Sequence, residues 1–107
     1  LRVIDKAVAI QKSSEKILFF QYGGDLSISS DLANELSYRF PKKIIVVVYV
    51  TGIKANVSIR GKNVRGIILK IIEGLNGATG GGHEDAVGAQ VKIEDLEIFR
   101  EQLEKNF

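Results

Sequence analysis

The sequence predicts one α/β domain, at the border with α+β: a mixed β-sheet of about four to five strands flanked by helices. Three observations predict it. The longest apolar run, IIVVVYV at 44–50, is strand-length and rich in β-branched residues, so it reads as a buried strand. Segments with helical spacing alternate with strand-like runs along the chain. The length, 107 residues, fits one domain with one core.

The elements follow in order. Residues 1–15 read as a helix ending an interdomain connector, which runs into a polar link, QKSSEK. Residues 16–107 read as the domain proper. ILFFQY at 17–22 is a strand, closed by Gly23, Gly24 and Asp25. In SISSDLANELSYRF, Ser29 or Ser30 is placed to cap a helix. Asp31 and Glu35 suit its positive N-terminal end, Leu32, Leu36 and Phe40 share a face, and Pro41 ends it. The stretch 43–50 reads as the central strand, and Gly52 turns the chain. KANVSIR then alternates, with Ala55, Val57 and Ile59 on one face and Asn56, Ser58 and Arg60 on the other. Ser58 and Arg60 therefore point the same way, about 6–7 Å apart. VRGIILKIIEGL is helical, with a stripe of Ile67, Ile68, Ile71, Ile72 and Leu75, and Gly77 is a helix stop. AVGAQVKI at 86–93 is a strand. EDLEIFREQLEKNF is a final helix with Leu96, Phe99 and Leu103 inward. The order is α-β-α-β-β-α-β-α.

The composition is that of a globular chain, 45% hydrophobic and 26% charged. No run of 18 or more apolar residues is present, so no transmembrane helix is expected. The start, LRVIDKAVAIQ, lacks the charged-then-apolar layout of a signal peptide and an initiator methionine, so the chain reads as a domain cut from a longer protein. The absence of cysteine excludes disulfides and thiolate metal sites, and fits a cytoplasmic protein. Net charge is only +2. Its distribution says more: five basic residues (Lys54, Arg60, Lys62, Arg65, Lys70) and no acid lie between 54 and 70, a stripe able to meet phosphates. Five acids and one base lie between 94 and 104, an acidic final helix that reads first as a solvated outer face.

GATGGGHEDAVGAQ at 77–90 holds three consecutive glycines beside the only histidine, His83. It reads either as a bare connecting loop or as a backbone that something approaches closely, since successive glycines let amides converge on an anion. The spacing is neither that of a P-loop nor that of a dinucleotide fingerprint. His83 has no second histidine and no cysteine to share a metal with, and no nucleophile motif surrounds it. Glu84 and Asp85 are expected to point away from any phosphate there. Arg60 is the second candidate, because a planar guanidinium suits bidentate phosphate capture. Among the aromatics, Phe19, Phe20, Tyr38, Phe40, Tyr49 and Phe99 read as core, leaving Tyr22 and Phe107 free to stack on bases.

VSIRGKNV, an apolar helix, GGGHEDAVGAQV and an amphipathic last helix together resemble the C-terminal DHH-associated domain of the DHH phosphoesterase superfamily. The strand, the SISSDLANELSYRF helix and KKIIVVVYV fit as well, so the resemblance covers about residue 16 to the end. It is most like the RecJ-like exonucleases, particularly archaeal ones. GGGHED departs from the alanyl-tRNA synthetase branch, whose glycines are followed by arginine and proline. The resemblance implies a domain that binds single-stranded DNA or RNA through Ser58, Arg60, Gly80, Gly81, Gly82 and His83. It implies an N-terminal DHH catalytic domain of the same chain as partner, carrying Asp and His ligands for two Mn²⁺ or Mg²⁺ ions. No D-H-H string is present here, so no catalytic or metal-binding residue and no cofactor is expected in these residues. Two alternatives stand beside this. One is the same domain of a short-oligoribonucleotide or cyclic-dinucleotide phosphodiesterase. The other is a protein-interaction module that docks replication or repair proteins through the acidic last helix.

Overall fold

The β-branched run at 44–51 settles between two layers of helices. The computed structural model describes residues 2–9, 15–25 and 27–107. Along the chain they form α1 (Val3–Ala9), β1 (Ile17–Gly23), α2 (Ser29–Arg39), β2 (Ile44–Thr51), β3 (Lys54–Arg60), α3 (Val64–Glu73), β4 (Thr79–His83), β5 (Ala86–Lys92), a short 3-10 turn (Ile93–Asp95) and α4 (Leu96–Asn106). The polar link QKSSEK falls mostly on residues outside those described.

The five strands form one mixed sheet in the order β1-β2-β3-β5-β4. β1 and β2 run parallel, which requires the crossover that α2 supplies; every other pair is antiparallel. A two-residue turn, Gly52 and Ile53, joins β2 to β3 with Gly52 at φ 59, the first-position glycine that a tight hairpin favours. Core residues alternate between the faces. Val46, Val48, Ala55, Val57, Ile59, Val87, Ala89 and Val91 pack under α3 and α4 around Ile68, Phe99 and Leu103. Leu18, Phe20, Ile45 and Val47 pack under α1 and α2 around Ile4, Leu32 and Leu36. Burying each valine, leucine, isoleucine or phenylalanine among them contributes about 1.5–3 kcal/mol.

The α/β class and the mixed sheet are as the sequence predicts, and five places differ. The glycine segment forms a fifth strand: β4 zips onto β5 from Thr79↔Gln90 to His83↔Ala86, because AVGAQVK offers a complete partner ladder through the two-residue turn Glu84–Asp85. The centre of the sheet is β3; β2 looks central in sequence because helices cover both its faces. Neither Ser29 nor Ser30 caps α2. Ile28 stands at the cap position, its N–H donates to the Tyr22 hydroxyl at 2.9 Å, and Ser29 turns inward. Tyr22 is thus committed, packed between Phe20 and Tyr49 with ring centroids 6.0 and 5.2 Å away. Tyr38, expected in the core, is 89% exposed.

Candidate functional site

The two helical layers do not cover the sheet equally. α3 packs on β4 and β5, and α4 on α3, while across the sheet α2 packs on β2 and β3. On the α2 side, Thr79, Gly81, His83 and Gly88 are all exposed, so the far half of that face is bare. Directly paired residues in neighbouring strands share a face. The register therefore reads off what lies there. One row joins Asn56, Gln90 and Thr79; the next joins Ser58, Gly88 and Gly81; the third joins Arg60, Ala86 and His83. Strand alternation and strand pairing thus place Ser58, Arg60, Gly81 and His83 on one face of the sheet. At about 4.8 Å per strand, Arg60 and His83 stand on strands about 10 Å apart.

Arg60 sits where α2 ends its cover. Its Nε donates to Asn34 Oδ1 at 2.7 Å, one terminal nitrogen donates to Ser30 Oγ at 3.1 Å, and the other donates to the Ile59 carbonyl at 2.9 Å. All three acceptors are neutral. Partial burial lowers the guanidinium pKa from its ordinary value, yet an arginine stays charged. The side chain is therefore fixed in place, makes no ion pair among the described residues, and leaves two of its five N–H groups without an acceptor among them. Ser58 is only 8% exposed, and its hydroxyl donates a weak hydrogen bond to Ser29 Oγ at 3.3 Å. Ser58 seats the first turn of α2 and stands behind the surface, not on it.

The three glycines divide into two kinds. A Cβ on Gly80 would stand 2.8 Å from Ile72 Cδ1 and 3.0 Å from the Gly88 carbonyl oxygen. Gly82 has φ 149, and a Cβ there would collide with the Ala86 carbonyl oxygen. Packing under α3 and backbone geometry account for both. A Cβ on Gly81 would meet nothing within 4 Å, and the same holds for its partner Gly88. Glycine in a strand costs about 0.5–1 kcal/mol relative to alanine, and nothing in the fold requires it at these two positions. Together they make a flat floor two strands wide. The amides do not converge into the anion-binding loop that the glycine run suggests, because β4 is an extended, paired strand.

The neighbouring turn is locked from behind. Asp85 Oδ1 accepts from the Asn63 N–H at 2.9 Å, and its carbonyl accepts from the Gly61 N–H at 3.0 Å. The Glu84 carbonyl accepts from the Arg65 N–H, and Arg65 Nε donates to the Gly82 carbonyl, both at 3.1 Å. Asp85 is thus turned to the β3–α3 loop. Asn63, at φ 58, makes the left-handed entry into α3. His83 borders an open groove with Asn63, Arg65, Gly66, Gly82 and Glu84 at this corner. Among the described residues no three His, Cys, Asp or Glu side chains are grouped to hold a metal, and no helix is long and apolar enough to cross a membrane.

The basic stripe is not one surface. Arg65 and Lys70 ride on α3, on the opposite layer, and only Lys54 joins Arg60 on the bare face by alternation. Sequence reasoning missed Asn34 and Ser30, which hold Arg60, and Gly88, Gln90 and Asn56, which floor the surface. The alternation of AVGAQVK against KANVSIR carries the signal for the last three, but only once the two strands are known to be neighbours.

A family model described as DHHA1 domain matches residues 7–107. No curated protein matches the chain. Among solved structures, RecJ in complex with Mg²⁺ from Thermus thermophilus superposes with a TM-score of 0.74 at 15% identity, over 95% of this chain and 16% of that one. The C-Ala domain of Aquifex aeolicus alanyl-tRNA synthetase gives 0.64 at 20% identity, over 81% and 89%. The pGpG-specific phosphodiesterase PggH from Vibrio cholerae gives 0.62 at 15% identity, over 92% and 35%. At these identities the likeness is one of fold.

Proposed function

The chain belongs to the DHHA1 domain family, and on that premise we propose that it is the substrate-holding domain of a DHH-family phosphoesterase of the RecJ-like exonuclease kind. Its ligand is single-stranded nucleic acid. The strand lies on the bare face of β5 and β4, along the margin of β3, with a phosphate on the two unused N–H groups of Arg60. Gly81 and Gly88 let the sugar–phosphate chain come close, and His83 stands at the far end of the Arg60 row. Hydrolysis belongs to an N-terminal DHH domain, joined through residues 1–15, whose Asp and His side chains hold Mn²⁺ or Mg²⁺.

The observation that carries this reading is Arg60 itself. It is partly desolvated, held by three neutral acceptors, and positioned beside a floor whose glycines the fold does not need. A charge arranged in this way favours an incoming anion, since the side-chain ordering is already done. The reading is tested by fluorescence anisotropy with fluorescein-labelled hexathymidylate. A few phosphate contacts put the dissociation constant of the chain in about the 10⁻⁴ to 10⁻⁶ M range at physiological salt. Arg60→Ala should weaken it roughly 10- to 150-fold, the equivalent of one charge-assisted hydrogen bond at about 1.5–3 kcal/mol. Unchanged affinity in a folded Arg60→Ala chain overturns the reading.

A further inference from the structure

The bare face continues beyond the polar row, and its far end is also cationic. Lys54 and Lys92 are directly paired across β3 and β5. Alternation puts Lys54 on the face of Asn56, Ser58 and Arg60, and Lys92 on the face of Gln90 and Gly88. Like charges set directly opposite one another destabilise a sheet. Neither lysine side chain makes a hydrogen bond or an ion pair among the described residues. Glu94 borders the same end, with Gly52, Ile53 and Lys92, without reaching an ion pair. The Lys92 stem lies against Gly77, whose missing Cβ would stand 3.4 Å from Lys92 Cε. Between the lysines and Arg60 the floor is neutral: the Gln90 amide donates to Asn56 Oδ1 at 2.9 Å, and Gly88 and Gly81 follow.

We infer that the opposed pair Lys54–Lys92 is a second phosphate subsite, and that the face is a track for an oligonucleotide with a cation at each end. This rests on the reading of Arg60 as a phosphate site. Six residues of extended strand separate Lys54 from Arg60, about 20 Å at about 3.3 Å per residue. At about 3.4 Å per nucleotide for a stacked strand, six nucleotides span that length, and fewer do so when the strand is extended. A dinucleotide reaches one end only. The repulsion between the two lysines is relieved when a phosphate bridges them.

The test uses two probes, fluorescein-labelled dithymidylate and hexathymidylate, and two variants of the chain, Lys54→Gln/Lys92→Gln and Arg60→Gln. Anisotropy titrations are run across a salt series. The lysine variant should bind the hexamer about tenfold more weakly at low salt. Its log–log salt slope should fall by about 1.4, which is two contacts at about 0.7 each for a single strand. Its affinity for the dimer should stay at the wild-type value. Arg60→Gln should weaken both probes. Equal loss on dimer and hexamer in the lysine variant means a diffuse field and overturns the subsite, as does no loss on either. In both cases the Arg60 reading stands if Arg60→Gln weakens both probes. If Arg60→Gln leaves both probes unaffected, the Arg60 reading falls and the track with it. Both lysines lie at the solvent-facing ends of their strands, and thermal melting confirms that the variant is folded.

Discussion

Replacing neighbouring glycines of β4 should produce opposite effects on stability. Gly81→Val places a branched side chain where a Cβ meets nothing within 4 Å and where the backbone is not left-handed. Removing a glycine from the unfolded chain stabilises by about 0.4–1 kcal/mol at a compatible site. Valine also suits a strand better, on a scale that spans about 1 kcal/mol. The variant should therefore melt at or above wild type, by as much as about 4–8 °C for a domain of this size. Gly82→Ala meets the opposite situation: φ 149 and a collision with the Ala86 carbonyl oxygen. Such a conformation costs about 1–3 kcal/mol for a side-chain-bearing residue, before any shift of the hairpin. It should melt several degrees lower. Binding should separate the pair again. In Gly81→Val the added methyl groups lift the strand off the floor, so hexathymidylate affinity should drop by tenfold or more while the fold is intact. Differential scanning calorimetry and anisotropy on the same samples give both numbers. A Gly81→Val chain that melts well below wild type would show that the floor is packed against something. One that melts normally and binds at wild-type strength would show that the floor is not a binding surface.

Three further outcomes are expected. Arg60→Lys keeps the charge, so the salt slope of binding should hold, but it loses the fork on Asn34 and Ser30; affinity should fall and stability drop by about 1–2 kcal/mol, read by urea unfolding. Tyr22→Phe removes the acceptor for the Ile28 N–H that starts α2, which should cost about 1 kcal/mol in the same assay without changing hexathymidylate binding. The purified chain should not hydrolyse labelled oligonucleotide with added manganese or magnesium, because two-metal hydrolysis requires clustered carboxylates and histidines; chelator-sensitive cleavage by a pure sample would refute this.

The sheet was legible wherever local pattern and burial agree. IIVVVYV and KANVSIR declare strands because their side chains pack against helices on one or both faces, and the alternation of the second is visible without its neighbours. Leu96, Phe99 and Leu103 point inward from α4 at helical spacing, as read. Legibility ends where an element exists only through its partner. TGGGH is dominated by glycines, which are depleted in strands, and has no buried side chain, yet it is extended because β5 supplies a ladder on one side and Arg65 holds the Gly82 carbonyl. Tyr22 and Tyr38 were misjudged for the same reason. Both are amphipathic rings, and only tertiary placement decides that one accepts a hydrogen bond from the start of α2 while the other faces water.

The candidate site shows the same division at finer scale. A run of three glycines suggests one function for all three, and the structure assigns them two. Gly80 is closed in by Ile72 of α3 and Gly82 by the Ala86 backbone of β5, and neither leaves room for a Cβ. Gly81 faces the other way, into open space where a Cβ would meet nothing within 4 Å. The period of two that makes KANVSIR readable also governs the glycines, but without side chains there is no pattern in the sequence to reveal it. Arg60 was readable as a charge and not as a positioned one, because Asn34 and Ser30 come from a helix 26 and 30 residues earlier. The surface proposed for binding is a long-range arrangement: a helix that stops at β3, an arginine anchored at its margin, and beyond it two strands with glycine at the paired outward positions Gly81 and Gly88.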